Sequence, residues 1–134
     1  MKLSSKQQQV QIGYWSVNAK NKFETMESLY RNRRYADCLF FGHLVLEMTL
    51  KALVTRITAD YAPKIHNLSR LAELARLELG ENEVNLLAQV SHFNMKTRYP
   101  DERLDFYKKC DKIFTDRYYS KIKRLYKKLC QLTK

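Results

Sequence analysis

Three residues that can exchange protons or hold a phosphate recur at helical spacing within one apolar stretch. His43, Glu47 and Lys51 lie four residues apart, which places their side chains on one face of an α-helix. This face could form a polar pocket that holds a phosphate or a base. The alternative, which we favour, is an i,i+4 ion pair beside a hydrogen-bonded histidine. If these groups are buried they must be partnered, because an unpaired buried charge is costly.

A second cluster precedes Pro100 and combines cations with an aromatic ring. Arginine binds phosphate through two parallel hydrogen bonds, and tyrosine stacks on bases. Alternatively, Arg98 pairs with a nearby carboxylate and Tyr99 packs into the core. We expect a nucleotide or RNA site to involve this segment. The candidate binding residues are Arg98, Tyr99, Lys96, Lys51, Glu47 and His43.

The charge is concentrated near the C-terminus. The 134 residues include 25 basic and 14 acidic ones, a net charge of +11, and residues 96–134 contain 13 basic and 5 acidic side chains. This pattern is typical of a surface that meets RNA, nucleotide phosphates or an acidic protein. It is also typical of a solvated, lysine-rich helix face. A secondary basic surface is predicted at Arg31, Arg33, Arg34, Lys123, Arg124 and Lys127.

Several classes of function lack their sequence signature. The chain contains no P-loop, no GxGxxG, no HExxH and no carboxylate cluster at metal-binding spacing, so no metal or cofactor is expected. Its three cysteines form no CxxC pair, which indicates free thiols in a reducing compartment. No apolar run approaches 18 residues and the N-terminus has no signal-like core, so we expect a cytoplasmic protein without a membrane span.

The apolar periodicity predicts an all-α fold in a single domain over residues 1–134. With 3 Gly and 2 Pro, the chain has few turn formers and favours long helices. Short loops between them predict an up-and-down bundle of four main helices plus one or two short ones. Helices are expected at about 4–30, 35–59, 67–79, 83–92 and 115–132, with an ordered loop at 93–114 that includes one helical turn near 103–109.

Individual residues set the expected helix ends and faces. Asn67 or Ser69 is expected to cap the third helix, Gly80 to end it, and Thr115 to cap the last. In the first helix, apolar side chains at 10, 14 and 17 share a helical stripe. The second helix is apolar nearly all round, so it is either the centre of the bundle or an oligomer interface.

Three motifs in this order resemble the HEPN (higher eukaryotes and prokaryotes nucleotide-binding) family. Residues 43–53 read His-Leu-Val-Leu-Glu-Met-Thr-Leu-Lys-Ala-Leu, similar to the family stretch that ends in Glu-x-x-Leu-Lys-Ala. Residues 66–71 are similar to its His-x-Leu-x-x-Leu, and residues 98–100 to its Arg-Tyr-Pro. The segment 106–110 resembles one bacterial branch. The resemblance extends over nearly the whole chain.

The resemblance implies a small helical bundle that is commonly a homodimer. Family members often stand beside a minimal nucleotidyltransferase, and several such pairs behave as toxin–antitoxin modules. Many others are ribonucleases in which an arginine, followed four to six residues later by a histidine, builds a site across the dimer. RNA cleavage needs a general base or acid and a cation near the phosphorane-like charge.

The ribonuclease spacing is absent from this chain. Eight, nine and fifteen residues separate the three histidines from the arginines that precede them: Arg34 and His43, Arg56 and His66, Arg76 and His92. No histidine follows Arg98. We therefore expect a non-catalytic module that binds nucleotide or RNA phosphate and partners a separately encoded nucleotidyltransferase. The alternatives are a ribonuclease toxin that uses Arg98, His92 and His66, or a purely structural helical adaptor.

Overall fold

Six α-helices account for most of the part of the chain that the computed structural model describes, residues 2–95 and 99–133. In chain order they are α1 (Ser5–Arg31), α2 (Tyr35–Thr58), α3 (Leu68–Leu74), α4 (Glu81–Met95), α5 (Pro100–Lys109) and α6 (Lys112–Leu132). The described residues contain no strand. The predicted all-α class is confirmed.

The four long helices alternate in direction. The Leu3 N–H, just before α1, donates a hydrogen bond to the Ala59 carbonyl after α2 (2.7 Å), so α1 and α2 are antiparallel. On α6, Tyr126 stacks on Phe23 of α1, whereas the earlier residue Tyr119 stacks on the later residue Tyr30, so these helices are antiparallel as well. Glu83, near the start of α4, forms an ion pair with Lys128, near the end of α6, so these two helices are also antiparallel. The long helices therefore form an up-and-down bundle.

Helix α2 is the centre of this bundle. It contacts all five other helices, and most of its residues from Cys38 to Thr55 are buried. Gly42 permits one of these contacts, because a Cβ there would lie 2.8 Å from Ile122 Cδ1. By length and composition α2 could cross a membrane, with a mean hydropathy of 1.5 over its most apolar window, but 78% of that window is buried inside the protein. It is therefore consistent with the core helix of a soluble bundle.

Helix α3 is shorter than its apolar pattern predicts. It is capped by the Asn67 side chain, as expected, but it ends at Leu74 and not near Gly80. Arg76 has a left-handed φ of 56°, and the Leu77 N–H donates to the Ala72 carbonyl. This pair of features is a Schellman motif, which usually has glycine at the left-handed position. Because arginine occupies that position here, the sequence lacks the glycine that usually marks a helix end.

The region between α4 and α6 is more helical than expected. α4 continues to Met95, and α5 forms a helix of ten residues with Pro100 in its first turn. The predicted cap of the last helix is wrong: the Asp111 side chain accepts a hydrogen bond from the Phe114 N–H, and Thr115 is buried inside α6. A proline in the first turn favours a helix because the N–H that it lacks would have no helical partner there.

The apolar residues of α1 do not all face the core. Val10, Tyr14 and Val17 are 56–61% exposed, and together we call them the α1 apolar stripe. The buried residues of this helix are Ala19 and Met26, which lie on the opposite side of the helix. Helical periodicity placed these three side chains on one face correctly, but that face is turned to solvent.

Candidate functional site

The polar residues of α2 form a buried cluster. His43 is fully buried, and Glu47 and Lys51 are each 5% exposed. The loop between α2 and α3 adds His66, whose side chain is 55% exposed. We call His43, Glu47, Lys51 and His66 the Glu47 cluster.

The Glu47 carboxylate is the acceptor at the centre of the cluster. Lys51 Nζ donates to Oε2 at 3.0 Å, which is the i,i+4 ion pair favoured from the sequence. His66 Nδ1 lies 3.1 Å from Oε2 and 3.2 Å from Oε1, so its N–H donates to the carboxylate. Each buried charge is thus partnered, as the cost of an unpaired buried charge requires.

His43 is held in a defined tautomer by the backbone of His66. Its Nε2 lies 3.1 Å from the His66 carbonyl oxygen, so Nε2 carries a hydrogen. Its Nδ1 faces Glu47 Oε1 at 3.6 Å and has no hydrogen-bond partner among the described residues. Burial lowers the pKa of His43, against the charge of Glu47, which raises it. At neutral pH the imidazole is therefore uncharged.

A tryptophan of α1 covers the lysine of the cluster. Lys51 Nζ lies 5.2 Å from the ring centroid of Trp15, a cation–π contact. With the carboxylate on one side and this ring on the other, Lys51 has little surface left for a ligand. The Trp15 contact was not predicted, since residues 36 positions apart share no local pattern.

The three histidines occupy different environments. His43 is fully buried, whereas His92 is exposed on α4. His66 combines an exposed side chain with an Nδ1–H committed to Glu47, so its second nitrogen, Nε2, is the one left for other partners. A carboxylate that holds one imidazole nitrogen orients the ring.

The end of α4 approaches the same loop. The Leu68 N–H donates to Ser91 Oγ at 3.0 Å, so the last turns of α4 lie against the start of α3, two residues after His66. Tyr99, at the N-cap of α5, is 63% exposed and is not a core aromatic. Lys96 and Arg98, which the sequence analysis placed in the site, lie outside the described residues.

The predicted secondary basic surface divides into separate parts. Arg31, Arg33 and Arg34 are exposed at the turn between α1 and α2. Lys123 instead points toward α1, where its Nζ lies 3.2 Å from Glu27 Oε2 and 5.1 Å from the Tyr119 ring centroid. The remaining two residues of this surface are exposed on α6: Arg124 and Lys127.

Other titratable groups show no metal-binding arrangement. In residues 2–95 and 99–133, no three His, Cys, Asp or Glu side chains could together hold a metal ion. Cys38, Cys110 and Cys130 form no disulfide bond among the described residues. Burial, followed by the charge of Cys110, raises the pKa of Cys38 to about 12, so this thiol is protonated and unreactive at neutral pH.

The described chain is thus an all-α bundle whose central helix carries a buried ion cluster that reaches the surface at one histidine. The HEPN domain family model matches residues 12–132, nearly the whole chain. The chain therefore belongs to the HEPN family, as its three motifs indicated. No curated protein and no solved structure matches it significantly.

The lowered pKa of His43 predicts a pH-dependent stability. The unfolded chain binds a proton to this imidazole more readily than the folded chain does, so the free energy of unfolding falls as the pH decreases below about 6.5. In denaturant titrations between about pH 7.5 and about pH 5, we expect His43→Gln to flatten this dependence. His92→Gln, at an exposed position, should retain the wild-type slope; equal slopes in all three proteins would contradict the assignment.

Proposed function

We propose that this HEPN domain is a non-catalytic module that binds nucleotide or RNA phosphate and acts beside a separately encoded minimal nucleotidyltransferase in the cytoplasm. The observation that carries the proposal is His66, whose exposed imidazole is oriented by a buried carboxylate. The position of α4 supports it, because this helix contacts the start of α3 and leads into the Arg98 segment.

His66 suits a phosphate for a geometric reason. Glu47 holds Nδ1, so the exposed ring presents its other nitrogen, Nε2, at the surface, where it can contact a phosphate group. In this proposal Arg98 and Lys96 supply cations, and the exposed ring of Tyr99 stacks on the base.

The buried members of the Glu47 cluster act indirectly in this proposal. His43, Glu47 and Lys51 are too buried to touch a ligand freely. They set the position of His66: Glu47 holds its ring, His43 holds its backbone carbonyl, and Lys51 balances the carboxylate. The candidate binding residues of α2 are therefore assigned a positioning role.

Binding measurements on folded variants test the phosphate site. We expect Arg98→Ala and His66→Ala each to weaken the binding of adenine or guanine nucleotides by about tenfold, the effect of losing one charge-assisted hydrogen bond. Lys108→Ala, which removes an exposed charge from α5, is the matched control and should bind as the wild type does. Isothermal titration calorimetry at low salt measures the affinities. Unchanged binding in both site variants would exclude this site.

The partner and the dimer form a separate part of the proposal. The α1 apolar stripe supports a homodimer, since exposed apolar side chains at i, i+4 and i+7 are typical of a helix face that packs against another protein. The nucleotidyltransferase partner is proposed because members of the HEPN family often stand beside such enzymes. Together these features describe one half of a toxin–antitoxin-like pair.

Affinity purification from the source cell tests the partner. We expect the tagged chain to retain a nucleotidyltransferase in stoichiometric amount, identified by mass spectrometry before and after a salt wash. Light scattering of the purified chain should give the mass of a dimer, and Tyr14→Lys should reduce it to that of a monomer, because a charge would enter the apolar interface. Recovery of RNA without such an enzyme would argue against the pair.

A ribonuclease remains the second candidate, and the Glu47–His66 pair favours it. An oriented imidazole with a free nitrogen is the arrangement of a general base, and such groups contribute about 10²–10⁴-fold to a rate. If purified protein cleaves RNA, His66→Ala should abolish cleavage and Glu47→Gln should slow it, whereas His92→Ala should not. Absence of cleavage in the wild type, scored on denaturing gels, would remove this candidate.

A further inference from the structure

A groove between α4 and α6 shares no residue with the Glu47 cluster. Its volume is about 520 Å³, within the range of small-molecule binding sites. Both of its walls are helical and both carry polar side chains. The lining residues are Asn82, Glu83, Asn85, Leu86 and Gln89 of α4 and Lys121, Arg124, Leu125 and Lys128 of α6.

The wall from α6 is a row of cations. Lys121, Arg124 and Lys128 are spaced by three and four residues, which places them on one side of the helix along about 10 Å. All three are exposed. In the part of the chain that the structure describes, Lys121 and Arg124 have no ion-pair partner.

The wall from α4 is a row of amides with the same spacing. Asn82, Asn85 and Gln89 are exposed and face the cations across the groove. Each amide offers two donors and an acceptor, and asparagine and glutamine side chains pair with the edges of nucleic-acid bases. The carboxylates of an acidic peptide would pair with the cations, whereas the donors and acceptors of a base edge match this row of amides.

The floor of the groove is apolar and belongs to the core. Leu86 is 4% and Leu125 is 3% exposed, and both are part of the main hydrophobic cluster of the bundle. The floor is therefore fixed by packing on its inner side. Because so little of either leucine is accessible, the floor fixes the shape of the groove, and the polar walls supply the contacts.

The single acidic residue of the lining is already neutralised. Glu83 accepts hydrogen bonds from Lys128 Nζ at 2.9 Å and from the Gly80 N–H at 3.0 Å, and these bonds lower the pKa of its carboxyl group. Lys128 thus serves to bind Glu83, and it also links α6 to α4. Lys121 and Arg124, which have no ion-pair partner among the described residues, leave the groove positive.

We propose that the α4–α6 groove binds a single-stranded oligonucleotide. Phosphates lie against Lys121 and Arg124, and base edges bond to Asn85 and Gln89. The strand must be unpaired, because in a duplex the Watson–Crick edges of the bases are occupied by pairing. RNA and DNA share this chemistry. The proposal is independent of the phosphate site at His66.

Fluorescence anisotropy with labelled eight-nucleotide RNA and DNA strands tests the cationic wall, at a length within the usual range of about 4–16 nucleotides. We expect Lys121→Ala/Arg124→Ala to raise Kd at least tenfold and to reduce the slope of log K against log salt by about 1–2. Lys20→Ala/Lys108→Ala removes the same charge from exposed sites on α1 and α5 and is the matched control. Equal affinities in the two double variants would overturn the proposal.

The amide wall gives a second readout that a merely electrostatic surface would not show. Asn85→Leu/Gln89→Leu should raise Kd at least fivefold and leave the salt slope unchanged, since no charge is lost. Preference for the RNA strand would identify contacts to the 2′-hydroxyl, and equal affinity would show that both strands fit. The proposal fails if the amide variant binds normally and polyglutamate, at the same concentration of negative charge as the strand, displaces it. The groove would then be a surface for acidic proteins.

Discussion

A carboxylate buried on the central helix is the constraint on which the candidate site depends. Removing an ion from water costs several kcal/mol, and the cost is recovered only if other groups neutralise and bond it. Glu47 meets this requirement with Lys51 from its own helix and His66 from the following loop. The loop between α2 and α3 is therefore tied to the core by charge as well as by packing, and the His43 bond to the His66 carbonyl strengthens the same connection.

This constraint separates the inner part of the polar cluster from its rim. His43 bonds to the His66 carbonyl and Lys51 bonds to Glu47, so both are committed to contacts inside the protein. His66 alone in the cluster has a largely exposed side chain. The structure therefore contains the arrangement favoured from the sequence, an i,i+4 ion pair beside a hydrogen-bonded histidine.

The cations of the basic C-terminal third also divide into those that pair within the protein and those that face solvent. Lys123 lies between Glu27 and the aromatic rings that join α6 to α1, and Lys112 pairs with Asp116, which also accepts a hydrogen bond from Tyr30. These cations stabilise the packing of α6. Lys121 and Arg124, on the side that faces α4, have no such partner among the described residues. Net charge alone therefore overstates the surface that a polyanion can use.

The sequence by itself determined the four long helices, the nearly all-round apolar character of α2, the i,i+4 pair of Glu47 and Lys51, and the family. These follow from local periodicity and motif order, which a linear chain displays directly. Tertiary structure alone decided that the α1 apolar stripe faces solvent, that α3 ends at a left-handed arginine, and that His66 reaches a carboxylate 19 positions away. Periodicity shows which residues share a face, but only the packing of the helices decides what each face meets.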